Sequence, residues 1–244
     1  MGNNSVVMIT GASKGLGKEL ALEFARNGAR LAICARQLPA LQQVEQEIKE
    51  LGGEVVAVEG DVSNPDDVNR FVSVVEEVFS GVDVLINNAS IFGPGPSLLA
   101  DYPNEAFNEV LHVNVLNPFL MTKRVLPGML SKKAGSIINL TSEAGKTGFA
   151  EWGAYGISKF AVEGLTQTWA EELEGTGVRI NMVDPGEMDT DMHKKAVPDC
   201  DYPLAHPSAN MDIFNYLAST ESIKENGRRF EAQKFQWKQE EHHA

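Results

Sequence analysis

Short apolar segments alternate with longer amphipathic segments along most of this chain. The short segments cover residues 6–10, 30–35, 54–59, 82–87, 136–141 and 179–183. Brief, largely apolar runs of this kind are typical of strands buried on both faces of a parallel sheet. The longer segments cover residues 16–27, 39–51, 65–79, 105–130 and 154–174. Their apolar residues recur at helical spacing, as in Leu16, Leu20 and Phe24. The alternation predicts an α/β fold of βαβ units, a doubly wound parallel sheet.

The pattern changes after residue 183. Prolines recur through residues 184–207, which predicts a mostly irregular stretch, and a short helix is predicted over 207–219. Asn226-Gly227 then predicts a turn into a last strand over 228–235, and the polar tail 238–244 is expected to be loose. Neither a repeat nor a linker divides the sequence, so residues 1–244 are predicted to form a single domain.

The charge argues against several classes of partner, and the cysteine content argues against a disulfide framework and a metal site. The formal net charge of −13 argues against nucleic acid, against an anionic membrane and, more weakly, against an acidic protein partner. The two cysteines, Cys34 and Cys200, do not form a disulfide framework, and no Cys/His spacing predicts a metal site. The first apolar segment is too short for a signal peptide or a membrane span. We therefore expect a cytoplasmic protein without a metal.

A glycine-rich turn follows the first predicted strand and begins the first predicted helix. Its sequence, Thr10-Gly11-Ala12-Ser13-Lys14-Gly15-Leu16-Gly17, has the spacing G-x-x-x-G-x-G. That spacing differs from G-x-G-x-x-G, and no Gly-Lys-Ser/Thr of a Walker loop occurs. Glycines at a strand–helix junction let backbone N–H groups approach a pyrophosphate, so the turn predicts a dinucleotide cradle. The alternative is an ordinary glycine-rich connection.

The end of the second predicted strand indicates which dinucleotide would bind. An acid at this point would bind the ribose 2′-hydroxyl of NAD, but the sequence is Cys34-Ala35-Arg36. Arginine accommodates a 2′-phosphate instead, and Lys14 would add a second positive charge. The sequence therefore favours NADP(H) over NAD(H), with solvated surface cations as the alternative.

Tyr155 and Lys159 stand four residues apart in the predicted helix 154–174, so both side chains leave the same face. A nearby ammonium favours the phenolate and lowers the pKa of a tyrosine toward the operating pH of an acid/base catalyst. The pair is a candidate proton donor. The alternative is a packed ring beside a solvated amine.

Together these motifs resemble the short-chain dehydrogenase/reductase family, including its NADP(H)-preferring members of the 3-oxoacyl-[acyl-carrier-protein] reductase type. The resemblance runs from about residue 6 to residue 235 and implies a Rossmann-type sheet of about seven strands with helices on both faces. Further positions that match family motifs are Asp61, Val62, Asn88, Ala89, Asn114, Ser142, Pro185, Gly186 and Thr190. One departure is Ser90, which stands where the family usually has glycine.

The resemblance implies hydride transfer between NADP(H) and a carbonyl or secondary alcohol. Tyr155 would be the general acid/base, and Ser142 would hydrogen-bond the same substrate oxygen. Lys159 would lower the pKa of Tyr155 and bind the nicotinamide ribose, while Asn114 would hold a water that links Lys159 to solvent. Asp61, Val62, Asn88 and Ala89 would contact the cofactor, as would Pro185, Gly186, Met188 and Thr190.

Substrate and subunit contacts are expected near the same residues. Residues 187–207 correspond to the variable substrate lid of the family. Candidate substrate-facing residues are Ser90, Phe92, Glu143, Phe149, Trp152, Glu187, Met188 and Met192. For Phe149 and Trp152, core or interface packing is an equal alternative. By analogy with the family we expect a homo-oligomer, a dimer or tetramer, that pairs through the helix bearing Phe160 and Gly164.

Two other functions stay open. One is a cofactor-binding sensor or scaffold without turnover, against which the complete set of catalytic residues argues. The other is reduction of a 3-oxoacyl group on a carrier protein, against which the acidic charge argues, since a carrier is itself usually acidic. A basic patch at Lys146 or at Lys194-Lys195 would favour the carrier. The substrate and the direction of reaction do not follow from the sequence.

Overall fold

A computed structural model describes residues 4–237 and places seven strands in one parallel sheet, in the order β3-β2-β1-β4-β5-β6-β7. The strands are β1 (Val6–Thr10), β2 (Arg30–Ala35), β3 (Val55–Glu59), β4 (Val84–Asn87), β5 (Gly135–Leu140), β6 (Val178–Asp184) and β7 (Arg229–Glu231). All neighbouring strands pair in parallel. The predicted single-domain, doubly wound Rossmann-type sheet is confirmed.

Helices cover both faces of the sheet. They are α1 (Gly15–Arg26), α2 (Leu38–Glu50), α3 (Pro65–Phe79), α4 (Asn104–Leu111), α5 (Asn117–Lys132), α6 (Gly153–Glu172), α7 (Asp191–Ala196) and α8 (Asp212–Ala218). Successive strand residues point to opposite faces. Thus Val7 and Ile9 pack with α1, α2 and α8, whereas Val6 and Met8 pack in the core formed with α3, α5 and α6. The central strand β1 is apolar up to Thr10 because both of its faces are covered.

The predicted helix 105–130 is interrupted. A π-helical turn, His112–Leu116, lies between α4 and α5 and contains the buried Asn114. A π turn inserts one extra residue into the helix and is often found at functional sites. The apolar periodicity continues across the turn, so the sequence pattern did not reveal it.

The C-terminal part differs from the prediction in three ways. The stretch expected to be mostly irregular contains α7, whose first turn is capped by Thr190 through a hydrogen bond from the backbone N–H of His193 (3.2 Å). The helix predicted over 207–219 is a 3₁₀ turn, Pro207–Asn210, followed by α8. The last strand is only three residues long because the 3₁₀ turn Ala232–Lys234 follows it directly. The tail 238–244 lies outside the described residues.

Within residues 4–237, no helix is long and apolar enough to cross a membrane. The cytoplasmic location stays a prediction.

The strand order creates a crevice at one edge of the sheet. From β1 the chain proceeds outward through β2 and β3, and β4 then returns to the other side of β1. At such a switch point the connections after the two strands diverge and leave room for a ligand beyond their carboxyl ends.

Candidate active site

A cavity of about 980 Å³ lies beyond the carboxyl ends of the central strands. The predicted cofactor residues that line it are Gly11, Ser13, Lys14, Gly15, Leu16, Gly17, Arg36, Asp61, Val62, Asn88, Ala89, Tyr155, Lys159, Pro185, Met188 and Thr190. The structure therefore brings residues from six separate parts of the chain together around one space.

The glycine turn is packed tightly against the loop that follows β4. A Cβ on Gly11 would lie 2.8 Å from Cα of Ala89, and one on Gly17 would lie 2.5 Å from Nδ2 of Asn88. Nδ2 of Asn88 donates to the carbonyl oxygens of Thr10 (2.9 Å) and Gly11 (3.1 Å). Asn88 thus holds the turn in shape, a structural role in addition to its predicted place beside the cofactor.

The first turn of α1 offers free donors to the cavity. Lys14 is the N-cap residue and makes no side-chain cap, and the first turn contains no acidic residue. Gly15, Leu16 and Gly17 of this turn all line the cavity. Uncapped N–H groups at the positive end of a twelve-residue helix suit a phosphate group. The residues present therefore fit a dinucleotide pyrophosphate.

The predicted 2′-phosphate cations differ in their surroundings. Arg36 is exposed at the cavity wall and forms no ion pair with any residue in 4–237. Burial by itself would raise the pKa of Asp61, but hydrogen bonds from Ser63 and the charges of Arg36 and His112 lower it overall. Lys14 is instead paired with Asp191 of α7 (Nζ to Oδ2, 2.7 Å). Arg36 is therefore the cation available to a ligand, and Lys14 would first have to leave Asp191.

Tyr155 and Lys159 are both buried on α6, at 8% and 3% exposure. Burial raises the pKa of Tyr155 to about 12, with Asp184 contributing, although a hydrogen bond with Ser142 opposes the shift. Burial lowers the pKa of Lys159 to about 8. Its Nζ donates to the carbonyl oxygen of Leu140 (2.9 Å) and lies 5.4 Å from the centre of the Tyr155 ring. The expected lowering of the tyrosine pKa is therefore wrong for this state, because burial disfavours both charged forms.

The side chain of Asn114 makes three hydrogen bonds. Its Oδ1 accepts from the backbone N–H of Ile91 (2.8 Å), and its Nδ2 donates to the carbonyl oxygen of Ile91 (2.9 Å) and to Oγ of Ser158 (2.9 Å). Asn114 therefore joins the loop after β4 to α6. The role in holding a water that the family resemblance implies stays a prediction.

The Pro185-Gly186 turn contributes unequally to the cavity. Pro185, Met188 and Thr190 line it, but Gly186 does not. A Cβ on Gly186 would meet the side chain of Gln233 at 2.6 Å, so this glycine faces the C-terminal segment. The predicted cofactor contact of Gly186 stays a prediction.

Of the candidate substrate-facing residues, Ser90, Phe92, Met188 and Met192 line the cavity, whereas Glu143, Phe149, Trp152 and Glu187 do not. Trp152 packs behind the wall, with its ring centre 5.7 Å from that of Phe92 and 5.8 Å from that of Tyr155. From α7, Ala196 and Met192 pack against Phe92 and Tyr155. The lid segment therefore forms an apolar cover over the tyrosine.

Three contributors were missed from the sequence. Oγ1 of Thr10 accepts from the backbone N–H groups of Asn88 (3.1 Å) and Ala89 (3.0 Å). Asp184 and Arg229 form a partly buried ion pair behind the cavity, with 2.8 Å between Oδ2 and Nη2. Asp184 could have been predicted, because it is an acid directly after the predicted strand 179–183. The residues next to Arg229 in the sequence give no comparable indication. No group of three His, Cys, Asp or Glu side chains that could hold a metal occurs within the described range.

Known proteins resemble this chain over most of its length. Residues 5–201 match the family model of the short chain dehydrogenases. A 3-oxoacyl-[acyl-carrier-protein] reductase from Synechocystis is 40% identical over 188 residues, which cover 77% of this chain and 75% of the relative. The structure of the oxidoreductase YciK from Escherichia coli superposes with a TM-score of 0.90 at 31% identity, covering 95% of this chain and 96% of that chain.

A Shigella flexneri structure solved in complex with NADP superposes equally well, with a TM-score of 0.90 at 30% identity and coverage of 95% and 98%. With the cavity, the glycine turn and the Ser142–Tyr155–Lys159 group described above, these similarities show that the chain belongs to the short chain dehydrogenase family of oxidoreductases.

Proposed function

We propose that this protein transfers a hydride between NADP(H) and a carbonyl or secondary-alcohol substrate. The observation that carries the proposal is the placement of Tyr155 and Lys159 in the same cavity as the uncapped N-terminus of α1 and the unpaired Arg36. A dinucleotide site and a buried proton donor therefore share one space, as hydride transfer with protonation requires.

The 2′-phosphorylated cofactor is proposed on two grounds. Arg36 lies at the position where a 2′-phosphate would be read, and it has no competing carboxylate partner among residues 4–237. The related Shigella flexneri structure was solved with NADP. The glycine turn would hold the pyrophosphate, and the bound cofactor would supply the hydride.

Side chains of the protein would then donate and resupply the proton. As hydride reaches a carbonyl carbon, negative charge grows on the oxygen, and a phenol whose pKa is raised to about 12 stays protonated until that moment. Ser142 hydrogen-bonds Tyr155 and would hold the same oxygen in line. Lys159, with a pKa lowered to about 8, can exchange protons near neutral pH and so resupply the tyrosine. A protonated tyrosine is the form that reduction of a carbonyl requires.

The test is NADPH oxidation, followed by absorbance, over a panel of ketones and 3-oxoesters. We expect turnover in the wild type and a loss of roughly 100-fold or more in kcat for Tyr155→Phe, since general acid catalysis contributes on that scale. NADPH affinity should stay within about threefold, because the change removes only a hydroxyl from the cavity floor. Tyr102→Phe is the matched control, since the buried hydroxyl of Tyr102 has no partner in the described part of the chain. Tight NADPH binding without turnover of any carbonyl would refute the proposed enzymatic activity and favour a cofactor-binding sensor or scaffold.

Reduction of a carrier-linked 3-oxoacyl thioester is the second candidate. The relative from Synechocystis is a 3-oxoacyl-[acyl-carrier-protein] reductase. Lys194 and Lys195 line the cavity and place positive charge beside the site, although the chain as a whole is acidic. Lys194 is paired with Asp189 (3.0 Å), and Lys146 is paired with Glu143 and Glu231. A much higher kcat/KM for the carrier-linked substrate than for the free thioester, reduced by Lys195→Gln, would select this candidate.

We also propose a homo-oligomer, in which α6 pairs with a second copy. Phe160 and Ile157 are 48% and 40% exposed on this helix, and a Cβ on Gly164 would meet nothing within 4 Å in the same chain. Exposed apolar residues around an open glycine form a surface that another helix can approach closely. Light scattering should report a dimer or tetramer, and Phe160→Glu should dissociate it; a monomeric wild type would contradict the proposal.

A further inference from the structure

Arg229 lies behind the catalytic group and is surrounded by carboxylates. Its side chain, 17% exposed, donates from Nε to Oε1 of Glu163 (2.9 Å) and from Nη2 to Oδ2 of Asp184 (2.8 Å). A third carboxylate, that of Glu231, lies 3.3 Å from Nη1. A planar guanidinium can serve several acceptors at once in fixed directions, which an ammonium cannot.

The same guanidinium contacts the catalytic serine segment directly. Nη2 of Arg229 donates to the carbonyl oxygen of Ser142 (3.1 Å). Ser142 begins the 3₁₀ turn Glu143–Gly145, and its Oγ accepts from the backbone N–H of Ala144 (3.2 Å). The direction of the Ser142 side chain therefore depends on a backbone that Arg229 holds from behind.

Glu163 completes the arrangement from the side of α6. Glu163 is 9% exposed, and its Oε1 accepts hydrogen bonds from Oγ1 of Thr141 (2.8 Å) and from Nε of Arg229. A Cβ on Gly145 would lie 2.5 Å from this oxygen, so the glycine leaves room for the carboxylate beneath the turn. Glu163 follows Lys159 by four residues, which puts both on the same face of the helix.

Asp184 connects the ion pair to the reacting groups and to the cofactor side of the cavity. Its charge adds to the raising of the Tyr155 pKa by burial and opposes the larger lowering of the Lys159 pKa by burial. Its Oδ1 accepts from the backbone N–H of Gly186 (2.9 Å), so it also holds the Pro185-Gly186 turn. A single buried carboxylate thus depends on Arg229 for compensation while it faces the catalytic pair.

We propose that Arg229 is a positioning residue of the active site, which fixes the backbone of Ser142 and compensates the charge of Asp184 behind Tyr155 and Lys159. The inference rests on the proposed function, because it assigns the support of that catalytic group. Arg229 reaches this place only through the pairing of β7 with β6, where it lies opposite Met182.

The test compares Arg229→Gln and Arg229→Lys with the control Arg228→Gln, which makes the same change of charge at an exposed neighbour. We expect Arg229→Gln to lower kcat at least tenfold, with NADPH affinity and substrate KM within about threefold. Arg229→Lys should keep the positive charge but lose the planar set of N–H donors, so its kcat should lie between those of the wild type and Arg229→Gln. Arg228→Gln should match the wild type. If Arg229→Gln fails to fold, Arg229→Lys and Arg228→Gln decide on the same readouts.

A second readout needs no turnover. The pKa of Lys159 can be followed by NMR with lysine labelled at Cε, assigned with Lys159→Arg. The charged groups around the site are Asp184, Glu163, Glu231, Glu143 and Lys146. Loss of the guanidinium leaves Asp184 uncompensated, which stabilises the ammonium, so the pKa of Lys159 should rise in Arg229→Gln and not in Arg228→Gln.

The outcomes separate the two proposals. Wild-type kcat in both Arg229 variants, with an unmoved Lys159 pKa, would overturn the positioning role and leave the reductase intact. A wild type that turns over no carbonyl would refute the proposed function. The NMR shift would then still decide whether Arg229 compensates Asp184.

Discussion

Replacing Arg36 by alanine should remove most of the preference for NADPH over NADH. Arg36 lies beyond the carboxyl end of β2, is exposed at the cavity wall, and has no ion-pair partner in residues 4–237. Its guanidinium is therefore free to bind a 2′-phosphate with paired hydrogen bonds. Because the side chain is not engaged elsewhere, alanine should leave the fold unchanged.

The magnitude follows from the kind of contact. A hydrogen bond to a charged group contributes about 1.5–3 kcal/mol, and 1.4 kcal/mol corresponds to a tenfold change in affinity. The expected loss in NADPH affinity is therefore about 10- to 150-fold. Exposure and screening favour the lower end at physiological salt, and the loss should grow as the ionic strength falls.

The assay is fluorescence titration of NADPH and NADH into wild type, Arg36→Ala and the exposed control Arg228→Ala. NADH affinity should change by less than about twofold in either variant, since NADH has no 2′-phosphate. An undiminished NADPH preference in Arg36→Ala would refute the reasoning and point to Lys14. Equal affinity of the wild type for both cofactors would refute the cofactor assignment itself.

Two further predictions concern stability. The pKa of Lys159 is lowered from 10.5 to about 8 on folding, so between these values the unfolded chain binds more protons and the free energy of unfolding should rise with pH. Urea denaturation should show this rise, up to about 1.4 kcal/mol per pH unit, in the wild type but not in Lys159→Met, and equal slopes would contradict the lowered pKa of Lys159. Gly145→Ala should lower the free energy of unfolding by about 1–3 kcal/mol, because its Cβ would lie 2.5 Å from oxygens of Glu163 and Thr141. Gly148→Ala, whose Cβ would meet nothing within 4 Å, should change it by less than about 0.5 kcal/mol, and similar losses in both variants would contradict the packing argument.

Much of the cavity could be predicted because its residues follow directly from local patterns. A strand buried on both faces is apolar throughout, and the residues immediately after such a strand must lie at the carboxyl edge of the sheet. Gly11, Arg36 and Asn88 directly follow β1, β2 and β4, and Asp61 follows the half-buried β3 after one residue; all four line the cavity. Spacing along the chain was sufficient for them, since the strand itself fixes where its next residue lies.

Predictions were less accurate where a group's behaviour depends on its neighbours in space. The spacing of Tyr155 and Lys159 predicted that the ammonium would lower the pKa of the phenol, yet burial of the phenol raises it. The contacts of the Asn114 side chain with the backbone of Ile91, in the loop after β4, were likewise not predicted. Burial and long-range contacts of this kind have no local sequence signal.

The sequence by itself therefore determined the succession of strands and helices up to residue 183, apart from the π turn, and also the glycine turn and the placing of Tyr155 and Lys159 on one helix face. Each of these depends on residues close together in the chain. Only the tertiary structure decided which charges stand behind that pair. Arg229 is 87 residues from Ser142 and 45 from Asp184, and it reaches both because β7 adds to the sheet beside β6. A three-residue edge strand carries little periodicity, so its position is set by packing against the rest of the fold.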